Sequence, residues 1–253
     1  MIEVVDLVKH YRAGDGGVVR AVDGVSFAVA AGEMVGLLGA NGAGKTTTLR
    51  VLATLLKPTS GSAFIGGRDV CSDPVGVRRR LGYVSATTGV PDRLTPREVF
   101  DSFGRLHGID AAARAARAER LLDVLGLRPC ADRPAGRLSS GQRQRVSVGR
   151  ALVHDPPALV LDEPTSALDV IGSRDLLALL ADLRAEGRAI LLSTHRLHEI
   201  EHRCDRFVVI HGGRVVTTGT REELVAGAPA GGPPTLEAAF FAAIDATPVG
   251  GAA

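Results

Sequence analysis

The chain has 253 residues, 45% of them hydrophobic and 23% charged, enough apolar material for one large buried core and the balance of a soluble globular protein. A formal net charge of +2 is too small to argue for nucleic acid as a partner, and the three cysteines (Cys71, Cys130, Cys204) form no C-x-x-C pair, which suggests neither a disulfide framework nor a thiolate metal site and fits a reducing cytoplasm. No apolar run approaches the roughly 18 residues of a membrane-spanning helix, and the amino terminus MIEVVDLVKHY lacks the apolar core of a signal peptide.

In chain order, IEVVDLV alternates as a strand does, and VVRAVDGVSFAVAAGE is β-rich up to a turn at Ala31-Gly32. MVGLLG is a short, wholly apolar run of the kind found in a parallel strand buried on both faces. A glycine-rich turn follows, then a helix predicted from about Lys45 through Leu55 and stopped before Pro58. Residues 62–66, 81–85, 158–161, 189–193 and 206–210 are further strand candidates, separated mostly by helical patterns in the βαβ rhythm of a parallel sheet. Between about Thr87 and Arg137 that rhythm breaks, and PREVFDSFGRLHG and AAARAARAERLLDVLGL predict only helices. A helical lobe inserted into the α/β core is therefore expected over about 87–150. Beyond a domain spanning 1–225, AGAPAGGPP (226–234) reads as a Gly/Pro-rich linker, TLEAAFFAAI as a short amphipathic helix and TPVGGAA as a disordered tail.

Gly39-Ala40-Asn41-Gly42-Ala43-Gly44-Lys45-Thr46 fits G-x-x-x-x-G-K-[ST], directly after an apolar strand and before a helix, which is the context the motif requires. Glycines let backbone N–H groups wrap a phosphate at the positive end of a helix. Lys45 supplies a compact cation to the β- and γ-phosphates, and the Thr46 hydroxyl can ligate Mg²⁺. The strand ALVLDE (158–163) ends in two adjacent carboxylates. Asp162 is placed to hold the magnesium and Glu163 to polarise a water for in-line attack on the γ-phosphate. Ser193-Thr194-His195 ends another apolar strand, so His195 should arrive on the same edge of the sheet.

LSSGQRQRVSVGRAL (138–152) resembles the signature motif of ABC-transporter ATPases, usually LSGGQ, and DEPTSALD (162–169) resembles that family's Walker B and D-loop. The resemblance runs in the family's order from about Ile2 to Leu224, with the signature at 138–142. It implies an α/β fold: a P-loop NTPase (RecA-like) core with an antiparallel β subdomain and an inserted helical lobe. It implies Tyr11 as the aromatic stacked on adenine, and residues 39–47, ending in Thr47, as the phosphate loop. Asp162 becomes the magnesium ligand, Glu163 the catalytic base, Asp169 the D-loop aspartate and His195 the histidine that contacts the γ-phosphate. Ser139, Gly141 and Gln142 would face ATP held by a second subunit, so hydrolysis would need a head-to-tail dimer, of two copies or with a paralogous ATPase subunit. Integral-membrane permease subunits are the implied partners and the cytoplasmic face of the membrane the implied location. VSATTGVPDRLTPREVF and TLEAAFFAAI are similar to bacterial efflux ATPases with separate permeases, the sodium-extrusion and drug- or antibiotic-efflux subunits among them.

The pattern departs from the family at Ser140, in place of a second glycine, and at Ala86, where the family usually has a glutamine; Ser85, Thr87 or Thr88 are the hydroxyls available to substitute for it. The guanine-specific N-K-x-D of a GTPase is absent, since lysine occurs only at 9, 45 and 57. Two alternatives stay open: a soluble ABC ATPase outside transport, and a regulatory module that binds ATP and hydrolyses it weakly. His198-Glu199-Ile200-Glu201-His202 also fits the zinc-protease spacing H-E-x-x-H, with only His211 or Cys204 as candidate third ligands. A solvated helix over about 196–203, leaving the strand behind His195, accounts for the same residues.

Overall fold

The computed structural model describes residues 1–12, 14, 16–85, 89–228 and 233–247. β1 (Ile2–Arg12) and β2 (Val18–Val29) pair antiparallel, their register interrupted by bulges that bend the ribbon. β3 (Met34–Leu38) is buried at every position and runs into the glycine-rich turn and α1 (Lys45–Leu52). The chain then returns through β4 (Ser60–Ile65) and β5 (Arg68–Asp69) to complete a four-stranded antiparallel sheet in the order β2-β1-β4-β5.

After α2 (Pro74–Arg78) and β6 (Leu81–Val84), the helical lobe begins. α3 (Pro96–Leu106) opens with a reciprocal capping box between Thr95 and Glu98 and a proline in its first turn. α4 (Ala111–Val124) is capped by Asp110, and α5 (Ser140–Leu152) by a second box between Ser139 and Gln142. β7 (Ala158–Asp162), α6 (Val170–Ala185), β8 (Ala189–Ser193), α7 (Leu197–Ile200), β9 (Arg206–His211) and β10 (Arg214–Gly219) rebuild the core. α8 (Arg221–Ala226) and α9 (Leu236–Asp245) close the described chain.

The main sheet has the order β10-β9-β3-β8-β7-β6, parallel except at β10. Its central strands β3, β8 and β7 are buried at every position because both faces are covered. Leu159, Leu161, Ile190 and Leu192 pack towards the helical lobe and α6. Ala158, Val160, Ala189 and Leu191, one residue out of phase, pack towards α1 and the antiparallel sheet.

Three predicted boundaries are corrected. α1 stops at Leu52 rather than Leu55, because Thr54 takes a left-handed φ of 60° and the Leu55 N–H donates back to the Arg50 carbonyl. The strand expected over 206–210 runs to His211 and continues as a hairpin into β10: Gly212 and Gly213 have φ of 54° and 79°, which a two-residue turn matching strand twist requires. The helix expected over 196–203 shrinks to the single turn of α7, followed by a non-helical turn. α9 forms where TLEAAFFAAI predicts it and buries Leu236, Ala239 and Phe240 in the core. The expected linker at 226–234 is described only in part, and the expected tail, from Pro248 on, lies outside the described residues.

Candidate functional site

The phosphate loop joins β3 to α1 at the centre of the main sheet. Gly44 sits at the helix entry with φ 107°, and a Cβ there would lie 2.4 Å from the Ala21 carbonyl oxygen, so both conformation and space demand glycine. Ala43 is buried and clamped, its N–H donating to Ala40 and its carbonyl accepting from the Gly213 N–H. Gly39 is buried, whereas Asn41 and Gly42 are exposed at the tip of the turn. Lys45 is buried, and its Nζ donates to the carbonyls of Gly39 (2.6 Å) and Ala40 (3.1 Å). Burial pushes its pKa down, and the nearby carboxylates of Glu163 and Asp162 oppose that shift.

Strand order brings the second half of the site alongside. β8 lies between β3 and β7, and its last residue, Ser193, is in register with Leu37 on one side and Asp162 on the other. Asp162 is 3% exposed. Its Oδ1 accepts from the Ser193 hydroxyl at 2.7 Å and from the Thr46 hydroxyl at 3.2 Å. Two oxygen donors, one charged, thus meet beside the loop, a donor set that suits a hard cation such as Mg²⁺. Glu163 follows with a left-handed φ of 52°, its N–H shared between the Ser193 carbonyl (3.2 Å) and hydroxyl (3.1 Å). This backbone turn sends the Glu163 carboxylate away from Asp162 to His195, whose Nδ1 lies 2.8 Å from Glu163 Oε2. His195 itself is exposed. Glycine-free left-handed backbone costs about 1 kcal/mol or more, and here two acceptors on β8 hold it.

Thr46, Asp162, Glu163 and His195 are thus joined, with Lys45 beside them, while the remaining predicted residues stand apart. Thr47 lies on α1, half-buried, and Tyr11 lies exposed near the end of β1, with Lys9 Nζ 5.2 Å from its ring centroid. Ser139 and Gln142 cap α5: the Ser139 hydroxyl accepts from the Gln142 N–H, and the Gln142 side chain accepts from the Ser139 N–H. The Ser139 hydroxyl hydrogen remains available to donate outward. Gly141 packs near Leu168, and Asp169 caps α6 through the Gly172 N–H. Among the described residues no hydrogen bond joins Ser139, Gly141, Gln142 or Asp169 to the phosphate loop of the same chain. Ala86, Thr87 and Thr88 lie outside the described residues; Ser85 is described and buried.

Sequence reasoning passed over Ser193, a serine in an apolar strand, and Gln144 and Arg150 on the inner face of α5. Gln144 donates to the Pro164 carbonyl at 2.8 Å and buried Arg150 to the Gly89 carbonyl at 3.3 Å, so α5 holds segments on both sides of it. Between them opens a cleft of about 740 Å³ lined by Ser85, Val90, Asp92, Leu138, Arg143 and Gln144.

In H-E-x-x-H, neither imidazole meets a ligand set: among the described residues no group of three or more His, Cys, Asp or Glu side chains is placed to hold a metal ion. Glu199 pairs with Arg196. Glu201 accepts from Arg221 Nε (2.8 Å) and from the Leu236 N–H (3.0 Å), tying α9 to the turn after α7.

Residues 22–166, from β2 through the strand that carries Asp162 and Glu163, match the protein family described as "ABC transporter". The chain belongs to the ABC transporter family. It is 41% identical over 208 residues to the ABC transporter ATP-binding protein NatA of Bacillus subtilis, covering 82% of this chain and 85% of NatA. It is 41% identical over 223 residues to the daunorubicin/doxorubicin resistance ATP-binding protein DrrA of Streptomyces peucetius, covering 88% of this chain and 66% of that relative. Among solved structures, an ATP-binding subunit of an ABC transporter superposes with a TM-score of 0.84 at 31% identity, over 96% of this chain and 99% of that one. A dimeric ATP-binding cassette in a post-hydrolysis state, bound to ADP and Pi, superposes with a TM-score of 0.79 at 27% identity, over 87% and 98%. The chain is accordingly an ATP-binding and ATP-hydrolysing ABC cassette, and among its described residues no helix is long and apolar enough to cross a membrane.

Proposed function

We propose that the ABC cassette binds MgATP on residues 39–47 and hydrolyses it with Glu163 as general base, in a head-to-tail dimer that drives export through separate permease subunits at the cytoplasmic face of the membrane. Lys45 would neutralise the β- and γ-phosphates, and Thr46 and Asp162 would hold Mg²⁺, which supplies charge neutralisation on the transferred group. Tyr11 would stack on adenine. The observation that carries this reading is the joined set of side chains: Thr46 reaches Asp162 at 3.2 Å while Glu163 is turned away onto His195 at 2.8 Å. This divergence supports a reading in which one carboxylate serves the metal and the other the attacking water.

A second copy supplies what one chain lacks. Among the described residues no hydrogen bond joins Ser139, Gly141, Gln142 or Asp169 to their own phosphate loop, and a similar cassette bound to ADP and Pi is dimeric, which supports an assembly of two copies. The helical lobe with the loop from 86 to 97 is where a cytoplasmic helix of the permease would dock, and the cleft lined by Val90, Asp92, Leu138, Arg143 and Gln144 supports that placement. A drug-class cargo is supported by the relative named for daunorubicin and doxorubicin resistance; a sodium cargo rests on the sequence resemblance to sodium-extrusion subunits.

Glu163→Gln tests the assignment. It should lower steady-state ATPase turnover by about 10²–10⁴-fold, the usual contribution of a general base, and trap an ATP-bound dimer detectable by gel filtration. A variant that hydrolyses at the parental rate and stays monomeric with ATP would favour the regulatory-module reading.

A further inference from the structure

We infer that Ser193 is a positioning residue for ATP hydrolysis: one buried hydroxyl at the end of β8 sets Asp162 for the metal and Glu163 for water, with their carboxylates pointed apart. The inference rests on the roles proposed for Asp162 and Glu163.

Adjacent carboxylates at the end of a strand have no intrinsic reason to diverge. In an extended strand, successive side chains leave on opposite faces, but Glu163 is no longer extended: its φ of 52° rotates the next peptide out of the sheet. Ser193 contacts both residues at this break. As donor, its hydroxyl holds Asp162 Oδ1 at 2.7 Å, fixing the carboxylate that also meets Thr46. As acceptor, the same oxygen receives the Glu163 N–H at 3.1 Å, alongside the Ser193 carbonyl at 3.2 Å. A hydroxyl is one of the few side chains able to do both at once. Ser193 is fully buried, so water has no ready access to replace it. The registry Leu37–Ser193–Asp162 places the hydroxyl between the strand that feeds the phosphate loop and the strand that carries the acids. Among the described residues Ser193 hydrogen-bonds neither Lys45 nor the loop glycines, so its action should separate metal-dependent from metal-independent nucleotide binding.

The test measures ADP binding by calorimetry with excess EDTA and with Mg²⁺, and Mn²⁺ binding to the ADP complex by electron paramagnetic resonance. Ser193→Ala should bind ADP in EDTA as the parent does. It should lose about tenfold of the Mg²⁺-dependent gain and of Mn²⁺ affinity, the size expected for one lost hydrogen bond to a charged group, with a fall in kcat for ATP that exceeds any change in KM. The near-isosteric pair Ser193→Thr and Ser193→Val separates the hydroxyl from the volume of the site: Thr should retain most of the metal-dependent gain and Val should lose it. If Ala and Val keep the parental Mg²⁺-dependent gain, or Thr loses as much as Val, Ser193 is not the positioning group. A parent chain whose ADP binding is insensitive to Mg²⁺ would overturn the proposed metal site as well, which distinguishes the two failures.

Discussion

Acid should weaken this protein through one histidine at the joint between lobe and core. His154 follows α5, its ring stacked on that of His107 at the end of α3, with centroids 3.8 Å apart and planes 3° from parallel. Its Nε2 lies 3.2 Å from the Leu81 carbonyl, whereas Nδ1 is buried with no hydrogen-bond partner among the described residues. Burial first, then the His107 ring, push its pKa down to about 4; the Leu81 carbonyl opposes them, and Arg117 and Asp155 act more weakly in opposite directions. His107 is itself shifted down by burial and by Arg79. A lowered histidine pKa means that the unfolded chain takes up the proton more readily than the native one. The associated stability is complete above the ordinary value of about 6.5 and is lost progressively as pH falls towards and through 4. Integrating between those values, the loss reaches about 2 kcal/mol at pH 5, as an upper figure for this partly buried ring. Urea unfolding at pH 7.5 and pH 5.0, parent against His154→Phe, isolates this contribution, because phenylalanine keeps the stack and cannot titrate. The parent should lose about 2 kcal/mol more than the variant over that interval. Equal losses in the two proteins would refute the burial argument.

Other outcomes follow from contacts elsewhere in the chain. Gly44→Ala forces a Cβ to 2.4 Å from the Ala21 carbonyl at φ 107°, so it should lower the melting temperature, by roughly 2–3 kcal/mol of stability, and abolish ADP binding in calorimetry. Lys45→Ala should abolish ATPase activity while leaving the fold intact by circular dichroism, since among the described residues its hydrogen bonds go to two loop carbonyls. Glu201→Ala removes the acceptor shared by Arg221 and the Leu236 N–H, so amides of α9 should exchange with deuterium roughly tenfold faster, with no comparable change in β3 or β7.

Much of this molecule is visible in its sequence because local patterns and tertiary needs agree. The apolar runs at 34–38, 158–162 and 189–193 are strands buried on both faces, and the caps Thr95, Asp110, Ser139 and Thr235 start helices where their side chains can reach the first free N–H groups. Two of the three misplaced boundaries share one cause. Thr54 and the Gly212-Gly213 pair redirect the chain by left-handed backbone, which hydrophobic periodicity does not register.

Residue chemistry and spacing along the chain were sufficient to single out Lys45, Thr46, Asp162, Glu163 and His195, because each motif is contiguous and its function depends on residues a few positions apart. That Asp162 meets Thr46 while Glu163 meets His195 depends on the order β3-β8-β7, which sets Ser193 beside Asp162 from 31 residues away. A one-dimensional string carries no strand order, so a hydroxyl bridging two strands has no local signature. The same holds for Glu201: nothing local marks it within HEIEH, and in the folded chain it is the acceptor that fastens α9.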